Sequence, residues 1–229
     1  METKNNPAKR SHDTGYRMNS NQRKYIEYVR DYSQTTRTHI WLGGSFLHGN
    51  PTPFSDVDIS AYTGLDALKT FIYGYGDPIY MSYTSNPEGI IIVIYENGVA
   101  VDLEVIESVD VTDNSCFFHM ENIKDRVFNR NSSISREICH RNDLPYQIAR
   151  LFHRSLIKYL AGKKEAGVNI ANEIVAFLNS DRYVTETEYK SGISRLIDQY
   201  HDKYPLDTEY RNLCFELIKH IETNATLER

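Results

Sequence analysis

The alternation of apolar and polar positions changes rhythm along this chain, and each rhythm predicts an element. From Ser20 to Gln34, Tyr25, Tyr28, Val29 and Tyr32 recur at helical spacing among charged residues, which predicts a helix. Thr38 to Leu42 reads as a short strand ending at Gly43, and Ser45 to Asn50 as one helical turn stopped by Pro51 and Pro53. Asp56 to Tyr62 is a second strand, Asp66 to Tyr73 a short helix, and Gly74 to Pro78 a turn leading into a strand over Ile79–Tyr83.

The next unit is a hairpin. Gly89–Glu96 and Val99–Ile106 are β-branched runs flanking Asn97-Gly98, a pair suited to a two-residue turn that needs positive φ at both positions. That turn would set Val93 opposite Asp102. The first arm is apolar on both faces and should be covered on both sides. In the second arm Val99, Val101, Leu103 and Val105 share one face, and Ala100, Asp102, Glu104 and Ile106 the other. Residues 107–144 read ambiguously, as a helix around Phe117–Phe128 and then a polar, mobile Asn/Ser-rich connection.

Beyond Pro145 the period is helical throughout. Four helices are predicted, over Pro145–Ala161, Lys164–Asn179, Thr185–His201 and Asp207–Thr223. Thr185 and Glu188 have the spacing of a capping box, and Asp207 can cap the last helix. Arg150 and Arg154 read as exposed-face residues of the first of these helices.

Composition narrows the picture modestly. A net charge of −5 argues against a dedicated nucleic-acid binder, which would carry a basic face. The cysteines, Cys116, Cys139 and Cys214, lack metal-ligand spacing and read as free thiols of a reducing compartment. No apolar run approaches the roughly 20 residues that span a bilayer, and the polar stretch from Met1 to Asn19 has no signal-peptide core. A cytoplasmic protein without a membrane partner is expected.

Chemistry concentrates in residues 43–59. A Gly43-Gly44-Ser45 turn follows an apolar strand, and a second strand opens on Asp56 and Asp58. Positions two apart on a strand share a face, so these carboxylates project together about 7 Å apart along the backbone. Adjacent carboxylates repel unless a cation sits between them, and a divalent metal that also holds a phosphate resolves the conflict. The glycine turn adds N–H groups that can approach an anion closely, because no Cβ intervenes.

This arrangement resembles the nucleotidyltransferase superfamily that includes DNA polymerase beta. Leu42-Gly43-Gly44-Ser45, a spacer of roughly ten residues and Asp56-Val57-Asp58-Ile59 match its pattern. The resemblance implies an α+β fold: a mixed β-sheet nucleotidyltransferase core with flanking helices, followed by a C-terminal helical bundle. The chain would divide into a polar tail over 1–19, a catalytic domain over 20–144 and the bundle over 145–229.

The resemblance also implies a third acid on a later strand. Asp102 is favoured, with Glu104 on the same face as competitor. Asp56, Asp58 and Asp102 would then be catalytic and hold two Mg²⁺ ions. Gly43, Gly44 and Ser45 would bind a nucleoside triphosphate, ATP above others, with Lys158 on the leaving pyrophosphate. His48, just after the turn, is a surface histidine that lies near the triphosphate in this reading. Among relatives of this layout the chain looks most like bacterial antibiotic-modifying enzymes. The implied acceptor is therefore a small hydroxylated molecule, such as an aminoglycoside or lincosamide, held between sheet and bundle. A protein or RNA acceptor and a non-catalytic nucleotide-binding protein are the alternatives.

Overall fold

The computed structural model describes residues 18–109, 117–123 and 128–227. Most of the expected tail lies outside that range, whereas Met18 packs on the core and Asn19 caps the first helix. The order is α1 (Ser20–Thr36), β1 (His39–Leu42), α2 (Gly44–Leu47), β2 (Val57–Tyr62), α3 (Leu65–Tyr75), β3 (Pro78–Ser85), β4 (Glu88–Tyr95) and β5 (Ala100–Val109). Then come β6 (Phe118–His119), β7 (Phe128–Arg130), α4 (Ser132–Ile138), α5 (Leu144–Leu160), α6 (Lys164–Leu178), α7 (Tyr189–Lys203) and α8 (Thr208–Leu227). The fold is α+β. Its open, mixed sheet has the order β3-β4-β5-β2-β1-β6, with β7 also paired to β5.

Alternation along the strands divides the core in two. Ile91 and Val93 of β4, Val101, Leu103 and Val105 of β5, and Val57 and Ile59 of β2 face α1, α3 and α4. On the other face Tyr80, Ile92, Ile94 and Ala100 pack against α5 to α8. This second layer covers β3, β4 and the start of β5. It leaves the same face of β1, β2 and the rest of β5 as the floor of a cleft.

Three buried tyrosines fix α5 over the sheet. The hydroxyls of Tyr80 and Tyr210 donate to the Tyr146 and Ala149 carbonyls at 2.8 and 2.7 Å, and that of Tyr200 donates to Pro145 O. Asp143 caps the helix by accepting from Tyr146 N at 3.1 Å, and Pro145 sits in its first turn.

Three sequence expectations need correction. The hairpin register is shifted by one: Val93 faces Val101, and Ile92 faces Asp102. Only Gly98 takes positive φ (+82°), and the pairing of Tyr95 with Val99 leaves a three-residue loop, Glu96–Gly98. A type I turn closed by a glycine bulge replaces the two-residue turn. The helix expected around Phe117–Phe128 is absent among the described residues. Phe118 and His119 instead form β6, parallel to β1, where strand pairing overrides a weak helical period. Residues 124–127 of that expectation lie outside the described residues.

The polar connection contains β7 and then α4, which Asn131 caps. Finally, α7 begins at Tyr189 rather than Thr185. Thr185 Oγ1 still accepts from Glu188 N at 3.3 Å, but it closes a turn ahead of the helix. Asp207 does cap α8, accepting from Glu209 N at 3.1 Å. Cys139 and Cys214 are free and buried, and burial pushes both thiols up to about 12; Cys116 lies outside the described residues. Among those residues no helix is long and apolar enough to cross a membrane.

The closest approach of α5 and α6 depends on Gly167. A Cβ built there would lie 2.8 Å from Tyr159 Cβ and 2.9 Å from the Ser155 carbonyl. Gly167→Ala should therefore force the helices apart and cost about 1–3 kcal/mol. Urea unfolding should show a lower midpoint with an unchanged slope.

Candidate functional site

The cleft is organised by strand register. β2 and β5 run parallel, with Asp58 opposite Asp102 and Ser60 opposite Glu104. All four side chains lie on the uncovered face. β1 continues the same rows antiparallel to β2: Trp41 is opposite Ser60, and Gly43 N donates to Asp58 O at 2.8 Å. Gly43, Gly44, Asp58 and Asp102 therefore line one cavity of about 320 Å³, together with His48, Ser60 and Glu104.

Gly44 is required where it stands. Its φ is +56°, and a Cβ there would overlap the Asp58 carboxylate. The acid thus packs directly against the glycine turn that opens α2. His48 is exposed on the cavity wall, as expected. Ser45 is not among the lining residues.

Asp56 stands just ahead of β2 rather than on it. The loop that delivers it is clasped from α1. Gln22 Nε2 donates to the Thr52 and Ser55 carbonyls at 3.1 and 2.8 Å, and Asn19 Nδ2 to Pro53 O at 2.7 Å. Lys158 Nζ lies 3.3 Å from Asp56 Oδ1 and 3.4 Å from Oδ2.

Lys158 belongs to a basic row on α5. Arg150, Arg154 and Lys158 are spaced four apart and share a helix face. Arg150 Nη2 is 3.8 Å from Asp102 Oδ2. The sequence reading placed Arg150 on an exposed face, yet its side chain is only 16% exposed. Arg154 is exposed, as expected, but near enough to act on Asp102. The four-residue spacing was visible in the sequence; what it lacked was the side of the helix that meets the sheet. Burial raises the Asp102 carboxyl above its usual range; Arg150 pulls it down, and Asp56 pushes it up again.

Glu104 is held differently from Asp102. It is ion-paired with Arg130 and accepts a hydrogen bond from Ser60 Oγ at 3.3 Å. Asp102, not Glu104, is the register partner of Asp58.

A second cavity, of about 450 Å³, lies on the Asp56 side of the acids. Ser55, Ala100, His153 and Ile157 line its inner end, with Glu96 and Glu216 among its other walls. His153, which drew no attention in the sequence, is buried, and its Nε2 has no hydrogen-bond partner among the described residues.

The donors suit magnesium in kind and in side. All are carboxylate oxygens, which hard divalent cations prefer, and Asp58 and Asp102 meet on one face beside Asp56. Among the described residues, however, no group of three or more His, Cys, Asp or Glu is gathered as a metal centre. Lys158 and Arg150 instead supply the positive charge, so Lys158 must release Asp56 before the three acids can share a cation.

No protein-family model and no curated protein sequence matches this chain.

His153 generates a test of the site's electrostatics. Burial pushes its pKa down to about 4, with the charge of Asp56 opposing and those of Arg150 and Lys158 reinforcing the shift. The folded value lies below that of the unfolded chain, near 6.5. The unfolded state therefore binds the extra proton between about pH 6.5 and 4, and stability should fall as pH drops through that window, by up to about 3 kcal/mol. Urea melts at pH 7 and pH 4.5 should show a larger loss for the native protein than for His153→Gln.

Proposed function

We propose that the chain is a magnesium-dependent nucleotidyltransferase that moves a nucleoside monophosphate, AMP above others, from a nucleoside triphosphate to a hydroxyl of a small molecule. The observation that carries this reading is the pairing of Asp58 with Asp102 in register on adjacent parallel strands, with Gly43 and Gly44 against Asp58 in the same cavity. The nucleotidyltransferase core and the helical bundle of α5 to α8 belong to this proposal.

Asp56, Asp58 and Asp102 would hold the metal, and Gly43, Gly44 and Ser45 the triphosphate. Bound magnesium would supply charge neutralisation at the phosphates and a lower pKa for the attacking hydroxyl. The chain's own residues do the rest. The acceptor oxygen attacks the α-phosphorus, the bond to pyrophosphate breaks, and the hydroxyl proton passes to Asp102. Lys158, released from Asp56, meets the leaving pyrophosphate. Arg150 keeps Asp102 oriented.

The acceptor would enter from the second cavity, which is lined by Ser55, the residue before Asp56, and by Ala100, two residues before Asp102. Neither lysine nor arginine is among its lining residues, while Glu96 and Glu216 are. That suits a hydroxylated molecule carrying amines, including aminoglycoside- or lincosamide-like antibiotics.

The test is a screen of labelled nucleoside triphosphates with Mg²⁺ against hydroxylated antibiotics, read by pyrophosphate release and product mass. Asp58→Asn should abolish transfer and leave the circular dichroism spectrum unchanged. It should leave the metal-free protein as stable or slightly more so, because a repulsion is relieved. Native-level transfer by this variant, or by the native protein in excess chelator, would overturn the mechanism. Transfer to a protein or RNA with none to small molecules would move the acceptor class.

A further inference from the structure

The geometry points to Glu104 as the residue that grips the ribose of the nucleoside triphosphate, accepting hydrogen bonds from its hydroxyls. The inference rests on the nucleotide reading of the cavity given above, and it assigns the part of that cavity which the transfer chemistry does not use.

Glu104 follows Asp102 on the same face of β5, two residues or about 7 Å along the strand. Ser60 beside it follows Asp58 in the same way. The cavity that contains the glycine turn and the paired aspartates is continuous with Glu104 and Ser60. A ligand whose phosphates lie at Gly43 and Gly44 therefore extends along this floor. The group joined directly to the α-phosphate is the sugar, so the ribose is the moiety that reaches the next pair of residues.

Glu104 is prepared for such a role. Arg130 pairs with its Oε1, and Arg130 Nη1 is itself anchored on the Glu88 carbonyl at 3.2 Å. Ser60 Oγ donates to Oε2 at 3.3 Å. These tethers fix the carboxylate in place. An ionised carboxylate only accepts hydrogen bonds and has about four acceptor positions, so two remain after its tethers. Its ligand group must be a donor, and a vicinal diol presents two donors side by side.

The wall beyond this floor is also unfinished. Trp41, opposite Ser60 in the same row, is 1% exposed and lines the cavity, yet its Nε1–H has no acceptor among the described residues. A buried donor without a partner is costly, so this wall has hydrogen-bonding capacity left over.

The experiment compares ATP with 2′,3′-dideoxyATP, each with Mg²⁺, by calorimetric titration of the full chain. The native protein should bind ATP about tenfold more tightly, the worth of a hydrogen bond to a charged group. In Glu104→Gln, ATP affinity should fall to that of the dideoxy analogue, so the ratio approaches one. Ser60→Ala, which keeps the carboxylate but removes one tether, should lower the ratio to about threefold, and it carries the test should Glu104→Gln not fold. Equal native affinities for the two triphosphates, or a ratio that neither variant changes, would overturn the assignment and leave the nucleotide reading intact. No binding of either triphosphate would overturn both.

Discussion

Two like charges held side by side are the constraint around which this molecule is arranged. Parallel pairing of β2 with β5 sets Asp58 against Asp102, and neighbouring strands stand only about 4.8 Å apart. Carboxylates on adjacent positions disfavour each other's charge, and at Asp102 the neighbouring charge of Asp56 adds to the effect of burial. The basic row of α5 supplies the opposing charge. Because α5 carries Arg150, Arg154 and Lys158 at four-residue intervals, one rigid element brings three cations to the acids at once. The buried tyrosines that pin its first turn therefore belong to the site's electrostatics as much as to the core.

The same constraint explains why one face of the sheet is finished and the other is not. The face covered by α1, α3 and α4 is apolar on every strand it meets. The opposite face changes character along β5: Ala100 lies under the helices, whereas Asp102 and Glu104 beyond it are carboxylates that face the cavity. Three of the acids have a cation beside them: Lys158 for Asp56, Arg150 for Asp102 and Arg130 for Glu104.

Much of this was legible in the sequence, because strand faces follow from a period of two. The sharing of a face by Asp102 and Glu104, the burial of both faces of β4, the extents of α5 and α6, the start of α8 and the glycine turn before α2 were all readable locally. What was not readable depends on partners distant in the chain. Asn97-Gly98 suits more than one turn, and the pairing of Tyr95 with Val99 decides between them. Phe118-His119 is a strand only because β1 offers an edge. Arg150 looked exposed because the helical period shows a polar face without showing that this face meets a row of carboxylates. His153 gave no signal of its own, since an isolated histidine among apolar residues reads as core.

The clasp between α1 and the loop ahead of Asp56 has a dynamic consequence. Asn19 and Gln22 form the capping box of the helix, and the same two side chains hold the carbonyls of Thr52, Pro53 and Ser55. Fraying of one helical turn, a small and frequent event compared with global unfolding, would thus release the segment that carries Asp56. The placement of Asp56 is then controlled from the front end of a helix that packs on the other side of the sheet. Amide exchange in the first turn of α1 and in residues 52–56 should proceed as one cooperative unit.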